Sequence, residues 1–305
     1  MLTRISFYSL IVFLITNFSI CNQLQFNSNW GAIYLSSEDK SINLEKLQEV
    51  IITHIDFINS NFHSPHKSPI YIKIQNKSLI NNNNLWSWSL GVTKGENHIF
   101  LKSPALTHIS INRFYKVVKH EIGHIFLNRL NIEIPKWFSE GFCLKYASEI
   151  SKNHSLNVSK NLNNKMMFNI DSIDQKFNAN NKRDFDFAYS LSAVIFNLII
   201  ELYGDQVINN IINNLKKNQQ FDKAFYNSTL ISLIDFNSNL YSEIKKKYRW
   251  IKLIKFPNIL FLLFPFLLSI GFIIKKYNNK KKLQDWEIEE LIEDSLNYDE
   301  KKDIN

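Results

Sequence analysis

One short segment, His120-Glu-Ile-Gly-His124, limits what this chain can fold into more than any other. It lies within residues 109–130, where apolar side chains recur with helical spacing on more than one face, which predicts a buried helix. A four-residue step places both imidazoles on one face, one turn apart, where they can hold a single Zn²⁺ and leave Glu121 beside an open coordination position. The other interpretation is a pair of core histidines bonded to protein acceptors. In so apolar a helix, a metal is the stronger partner for polar groups.

A third protein ligand is expected from the next helix. The segment Pro135-Lys-Trp-Phe-Ser-Glu140-Gly-Phe starts with a proline, a residue suited to the first helical position, and sets one carboxylate among aromatic side chains. A short loop after the first helix allows the two helices to run antiparallel, which brings Glu140 level with the histidine pair. A merely solvated Glu140 leaves its apolar neighbours unexplained, so metal ligation is the favoured interpretation.

These residues resemble a known family. The HEIGH segment, the Trp-Phe-Ser-Glu-Gly segment, and the later Phe187-Ala-Tyr-Ser-Leu-Ser and Leu202-Tyr-Gly stretches are similar to the gluzincin zinc metallopeptidases, most closely to their peptidase MA-like domain. The resemblance covers roughly residues 98–245. It implies an α+β, thermolysin-like zincin fold in which a small mixed sheet packs on helices. It also implies one Zn²⁺ held by His120, His124 and Glu140, with Glu121 as the general base.

The same resemblance suggests that Tyr189 lies near the cleft, where it would donate a hydrogen bond to the oxyanion. Packing between helices is the alternative for this tyrosine. The sequence departs from the family pattern at Cys143 and Leu144, where a small residue and then an acidic one are usual. The departure affects the surroundings of the ligands rather than the ligands themselves. Cys143 is expected to be a small core residue rather than a competing zinc ligand.

The predicted reaction is hydrolysis of a peptide bond by zinc-activated water, with a peptide or protein as the substrate. The predicted strand at residues 98–101 immediately precedes the active-site helix, so it is the candidate edge for pairing with an extended substrate. The alternative is a non-catalytic, zinc-containing binding module tethered to the membrane. An intact Glu121 argues against that alternative, because a binding site needs ligands but no base.

The folded part of the chain is predicted at residues 22–245, divided into a sheet-rich part (22–102) and a helical part with the metal site (103–245). Strands are expected near residues 32–35, 70–74 and 98–101, and helices at 44–58, 185–203 and 206–215. Residues 151–163 are predicted to be an Asn-rich connection that extends as far as 183. No pattern selects an oligomeric state.

Both ends of the chain carry membrane signals. Residues 1–21 have the basic start and apolar centre of a signal peptide or N-terminal anchor. Residues 256–274 are uncharged and, as a helix, about 28 Å long, which predicts one C-terminal transmembrane helix. An export signal and a single span place the peptidase domain outside the cell membrane and residues 275–305 in the cytoplasm as a charged tail, with a short helix at 286–296.

The positive charge of the chain does not indicate nucleic-acid binding. The formal net charge is +8, from 36 basic and 28 acidic residues. Eleven of the basic residues flank the apolar run, between Lys245 and Lys282, and the remaining 25 are outnumbered by the acidic ones. The rest of the chain, taken together, therefore offers no excess of positive charge for a phosphate backbone.

Overall fold

The computed structural model of this protein describes residues 22–64, 66–76, 89–178, 181–251 and 258–302. The chain divides into two units, Met1–Arg249 and Trp250–Asn305. The predicted signal at residues 1–21 lies outside the described residues. The first unit is a mixed α+β structure with a small sheet and many helices, as the sequence predicts at that level of detail.

The sheet has five described strands, in the order β1-β2-β3-β5-β4. Alternating residues of β2, β3 and β5 bury one apolar face against the helices, while Tyr34 and Tyr71 are exposed on the other face. Strands β2, β3 and β5 are parallel, and antiparallel partners flank them on both sides. The strands are β1 (Asn22–Ser28), β2 (Gly31–Ser37), β3 (Ile70–Gln75), β4 (Gly91–Lys94) and β5 (His98–Lys102).

The helices of the first unit surround a core of aliphatic and aromatic side chains. The longest described helix of this unit, Lys182–Tyr203, is almost entirely buried along its central turns. The helices are α1 (Leu44–Phe62), α2 (Pro104–Thr107), α3 (Ile111–Asn128), α4 (Lys136–Tyr146), α5 (Lys152–Lys160), α6 (Ile170–Phe177), α7 (Lys182–Tyr203), α8 (Gln206–Lys216), α9 (Phe221–Thr229) and α10 (Leu233–Tyr248); a 3₁₀ turn (Lys165–Phe168) precedes α6.

The prediction that residues 98–101 form an edge of the sheet is wrong. Strand β5 lies between β3 and β4, so its residues 98–101 are not an edge. The described edge on that side is β4, whose four residues are too few to show a visible alternation in the sequence. Strand β1, at the opposite edge, was not predicted either.

The predicted Asn-rich connection is largely helical. It contains α5, the 3₁₀ turn and α6, which bury apolar residues at helical spacing, including Ile170, Ile173 and Phe177. These contacts override the weak helix propensity of the asparagines around them, because tertiary burial outweighs intrinsic preference.

The second unit contains one helix, α11 (Asn258–Lys302), among the described residues. It continues through Pro265 and includes the region predicted as a separate helix at 286–296. Residues 256 and 257 of the predicted span lie outside the described part of the chain. In that described part, one helix meets the length and hydropathy expected of a membrane span, and it is α7, most of which is buried inside the first unit.

Candidate metal centre

The two helices that carry the candidate ligands are each held by polar contacts at their N-termini. Ser110 caps α3, accepting a hydrogen bond from the backbone of Arg113 at 3.3 Å. Helix α4 begins after Pro135, which has no capping side chain, and Asp174 of α6 supplies the cap instead. Its carboxylate accepts hydrogen bonds from the backbone amides of Lys136 at 3.0 Å and Trp137 at 2.9 Å. The start of α4, the helix that carries Glu140, is therefore held by α6, which lies in the segment predicted to be a connection.

Three ligand-type side chains converge between α3 and α4. The Nε2 atoms of His120 and His124 are 3.2 Å apart. Glu140 places one carboxylate oxygen 3.3 Å from His120 Nε2 and the other 3.6 Å from His124 Nε2. The structure therefore brings together the three residues that the sequence analysis selected as ligands.

These separations fit a zinc ion. Four ligands arranged as a tetrahedron at 2.0–2.1 Å from zinc lie about 3.3–3.4 Å from one another. The distance between the two Nε2 atoms, 3.2 Å, and the distance from His120 Nε2 to Glu140 Oε2, 3.3 Å, lie close to that value, and the second carboxylate oxygen, Oε1, lies 3.6 Å from His124 Nε2. Two imidazoles and one carboxylate are also the donor set of known catalytic zinc sites, which keep the fourth position open.

The electrostatics of the cluster favour bound positive charge. Burial alone would lower the pKa of His120, but the carboxylates of Glu140 and Glu149 outweigh it and hold this pKa well above its ordinary value. Burial lowers the pKa of His124 to about 4. Burial would raise the pKa of Glu140, yet His124 and His120 lower it. The site thus keeps the Glu140 carboxylate ionised and His124 neutral, while a metal would have to displace the proton that the carboxylates hold on His120.

Glu121 lies on the side of α3 that faces the edge strand β4. Its carboxylate accepts a hydrogen bond from the Thr93 hydroxyl at 2.7 Å, and the same hydroxyl approaches the Glu121 carbonyl oxygen at 3.0 Å. Gly91 leaves room for the carboxylate, because a Cβ at that position would lie 2.8 Å from Glu121 Oε1. Burial raises the pKa of Glu121 to about 7, while His120 and Thr93 act in the opposite direction. A carboxylate with a pKa near neutrality is suited to acid-base work.

Glu149 is a further residue of this site, and no pattern in the sequence predicts it. Its Oε2 atom lies 2.9 Å from His120 Nδ1, the ring nitrogen that faces away from Glu140. Glu149 follows the end of α4 and belongs to no periodic pattern, so its position in the sequence does not indicate that it reaches the site. The hydroxyl of Tyr189 lies 3.4 Å from both His120 Nδ1 and Glu149 Oε2. Tyr189 is therefore near the candidate ligands, on the outer side of His120.

Cys143 lies at the crossing of the two helices. It is buried, and its sulfur would be 2.9 Å from a Cβ placed on Gly123. Its Sγ and ring nitrogens of His120 and His124 all lie within 4.8 Å of one another. Burial raises the pKa of the Cys143 thiol well above its ordinary value. The position fits a small core residue, and it also places a sulfur within reach of the candidate ligands.

A mixed α+β structure with an HExxH helix and a nearby glutamate defines a metallopeptidase-like protein. Comparison with protein families gives a match to the Peptidase MA superfamily over residues 58–242. The chain belongs to this superfamily, which supports a peptidase-related function and a metalloprotease-type site. A comparison with curated proteins gives no significant match.

Proposed function

We propose that this protein is a zinc-dependent metallopeptidase of the gluzincin type, with a thermolysin-like zincin fold. The observation that carries the proposal is the convergence of His120 Nε2, His124 Nε2 and the Glu140 carboxylate at separations of 3.2–3.6 Å. These three residues would hold one zinc ion. When bound, zinc would acidify a water molecule and polarise the carbonyl of the scissile peptide bond.

Glu121 is the residue proposed to move the proton. Its carboxylate would take a proton from the attacking water and later give it to the leaving amine. These two transfers need a group that exchanges protons near neutral pH. The Thr93 hydroxyl, bonded to Glu121 Oε2, fixes the direction of the carboxylate. Orientation of this kind contributes to the rate because proton transfer depends on hydrogen-bond geometry.

The edge strand β4 is the proposed docking site for an extended peptide. Its residues Gly91 and Thr93 contact the Glu121 side chain, so a substrate strand paired with β4 would pass beside the general base. Backbone pairing at a sheet edge binds many sequences and leaves selection to side-chain pockets. The substrate proposed on this basis is a peptide or an extended segment of a protein.

The experiment that tests this function compares two variants with the wild-type chain. Glu121→Gln is expected to keep bound zinc and lose peptide hydrolysis, because the amide cannot take the proton. His124→Ala is expected to lose both, since it removes a ligand. Zinc content is measured by elemental analysis and hydrolysis by a peptide-library assay with and without a chelator. Retention of hydrolysis in either variant would contradict the proposal.

One observation favours the non-catalytic alternative, a zinc-containing binding module. With Cys143 Sγ close to both histidines, a His₂-Glu-Cys set would close the coordination sphere, as in structural zinc sites. Cobalt substitution separates the two functions, since a thiolate ligand gives an intense sulfur-to-cobalt absorption band in the near ultraviolet. The peptidase proposal expects the same spectrum for wild type and Cys143→Ser. A band that disappears in Cys143→Ser would favour the binding module.

We also propose that the protein is anchored in the cell membrane through residues 256–274, with the peptidase domain outside. Within that segment, apolar side chains such as Phe264, Phe266 and Phe272 are more than 60% exposed, which is costly in water and favourable in lipid. Carbonate extraction of membranes tests the anchor, and protease protection of the tail tests the orientation. Release of the full chain by carbonate would contradict the anchor.

A further inference from the structure

The end of helix α4 has a backbone geometry that seldom occurs without glycine. Ser148 adopts a left-handed conformation, with φ of +57°. Its amide bonds to the carbonyl of Lys145 at 3.2 Å, and the next amide, that of Glu149, bonds to the carbonyl of Leu144 at 2.9 Å. These two bonds form a Schellman motif, in which the left-handed position is usually glycine. A serine at that position holds a conformation that L-residues other than asparagine and aspartate rarely adopt.

This turn directs Glu149 back toward the metal centre. The Schellman motif reverses the chain, and the residue after the left-handed position normally makes an apolar contact with the helix it follows. Here that residue is an acid whose carboxylate lies 2.9 Å from His120 Nδ1. A second contact holds the turn against the ligand-bearing helix, since Lys116 of α3 donates a hydrogen bond to the Ser148 carbonyl oxygen at 2.8 Å.

Tyr189 of α7 completes the environment of the same ring nitrogen. Its hydroxyl lies 3.4 Å from His120 Nδ1 and 3.4 Å from Glu149 Oε2. Glu149 and Tyr189 thus approach His120 from two different elements, on the side opposite the Nε2 atom that faces Glu140 and His124. A ligating imidazole that donates its second N–H to a carboxylate is fixed in both tautomer and orientation.

We propose that the strained turn at Ser148 sets the metal affinity of this protein by aiming Glu149 at His120, with Tyr189 as a second positioning residue. Glu149 holds the proton on Nδ1, so that Nε2 presents its lone pair to the metal. This inference rests on the proposed zinc site. Tyr189 would orient the same ligand from α7.

The test measures zinc dissociation constants of the full chain by competition with a chelator. Glu149→Ala is expected to weaken zinc binding 10- to 100-fold, the usual effect of losing such a partner. Glu149→Gln is expected to weaken zinc binding less than Glu149→Ala does, because its amide oxygen still accepts the hydrogen bond. Tyr189→Phe is expected to weaken binding a few fold, since Glu149 remains.

A matched pair at Ser148 tests the turn without touching the site, because that side chain is exposed. Ser148→Gly keeps the left-handed conformation and is expected to bind zinc as wild type does. Ser148→Val disfavours that conformation and is expected to weaken zinc binding toward the Glu149→Ala value. Circular dichroism establishes that each variant is folded. If Ser148→Val does not fold, Ser148→Ala, which imposes a smaller penalty on the left-handed conformation, is compared with Ser148→Gly instead.

The outcomes separate this inference from the function on which it rests. Wild-type protein that binds zinc, with Glu149→Ala within twofold of it, would overturn the positioning role and leave the peptidase proposal intact. Equal losses in Ser148→Gly and Ser148→Val would overturn the role of the left-handed turn. Wild-type protein without zinc affinity would overturn both proposals.

Discussion

Substitution of Gly91 by alanine should displace the carboxylate of the general base, Glu121, without replacing that residue or any candidate ligand. An alanine Cβ would lie 2.8 Å from Glu121 Oε1 and 2.9 Å from Leu101 Cδ2, and ordinary contact begins at 3.4 Å. The Glu121 carboxylate must therefore retreat by about 0.6 Å. Since a 1 Å misplacement near the reacting groups costs about 100-fold in rate, we expect kcat/KM to fall about 10- to 30-fold. That loss corresponds to about 1.4–2 kcal/mol of transition-state stabilisation.

The assay is steady-state hydrolysis of a fluorogenic peptide, paired with a zinc dissociation constant. The zinc affinity of Gly91→Ala is expected to stay at the wild-type value, because the ligands on α3 and α4 are untouched. Gly95→Ala is the control in the same hairpin, since its Cβ would meet nothing within 4 Å. Because Gly95 has a positive φ of +63°, alanine at this position also destabilises the fold, so this variant shows how much activity is lost through reduced stability alone. Full activity in folded, zinc-loaded Gly91→Ala would refute the proposed position of the base, as would equal losses in both variants.

Two further predictions concern stability. Burial lowers the pKa of His54 from 6.5 to about 4, so the unfolded chain binds this proton first and stability is lost as pH falls from 6.5 toward 4. Urea unfolding measures the free energy of unfolding at pH 7.5 and at pH 4.5. Its decrease between these two pH values should be about 2–3 kcal/mol smaller in His54→Leu than in wild type. The same pH dependence in both proteins would contradict the assignment to His54. Asp174→Ala should lower the free energy of unfolding by about 1–2 kcal/mol, because it removes the cap of α4. Asp171→Ala, an exposed change on the same helix, is its control, and equal losses in the two variants would contradict the capping role.

The helices of the site could be predicted from the sequence because their signals are local. The apolar positions of α3 recur over four turns, and the spacing of His120 and His124 fixes their common face. Pro135 marks the start of α4 within one residue. These features depend on neighbours in sequence, so a pattern detects them.

The features that the sequence analysis missed depend on contacts distant in sequence. Strand β4 has only four residues, and its place at the sheet edge follows from pairing with β5. Asp174 caps a helix that starts 38 residues earlier. Glu149 reaches His120 only because Ser148 adopts a left-handed conformation, which no serine signals by itself. Tertiary packing, rather than propensity, determines all three.

Zinc K-edge X-ray absorption of the purified full chain shows which atoms surround the metal. The proposed site requires about one zinc per chain, with nitrogen and oxygen neighbours at about 2.0–2.1 Å, including two imidazoles. The Glu140→Ala variant should lose one oxygen neighbour or the metal itself. A sulfur neighbour at about 2.3 Å would contradict an open catalytic site and favour ligation by Cys143. A wild-type chain without bound zinc would contradict the metal centre itself.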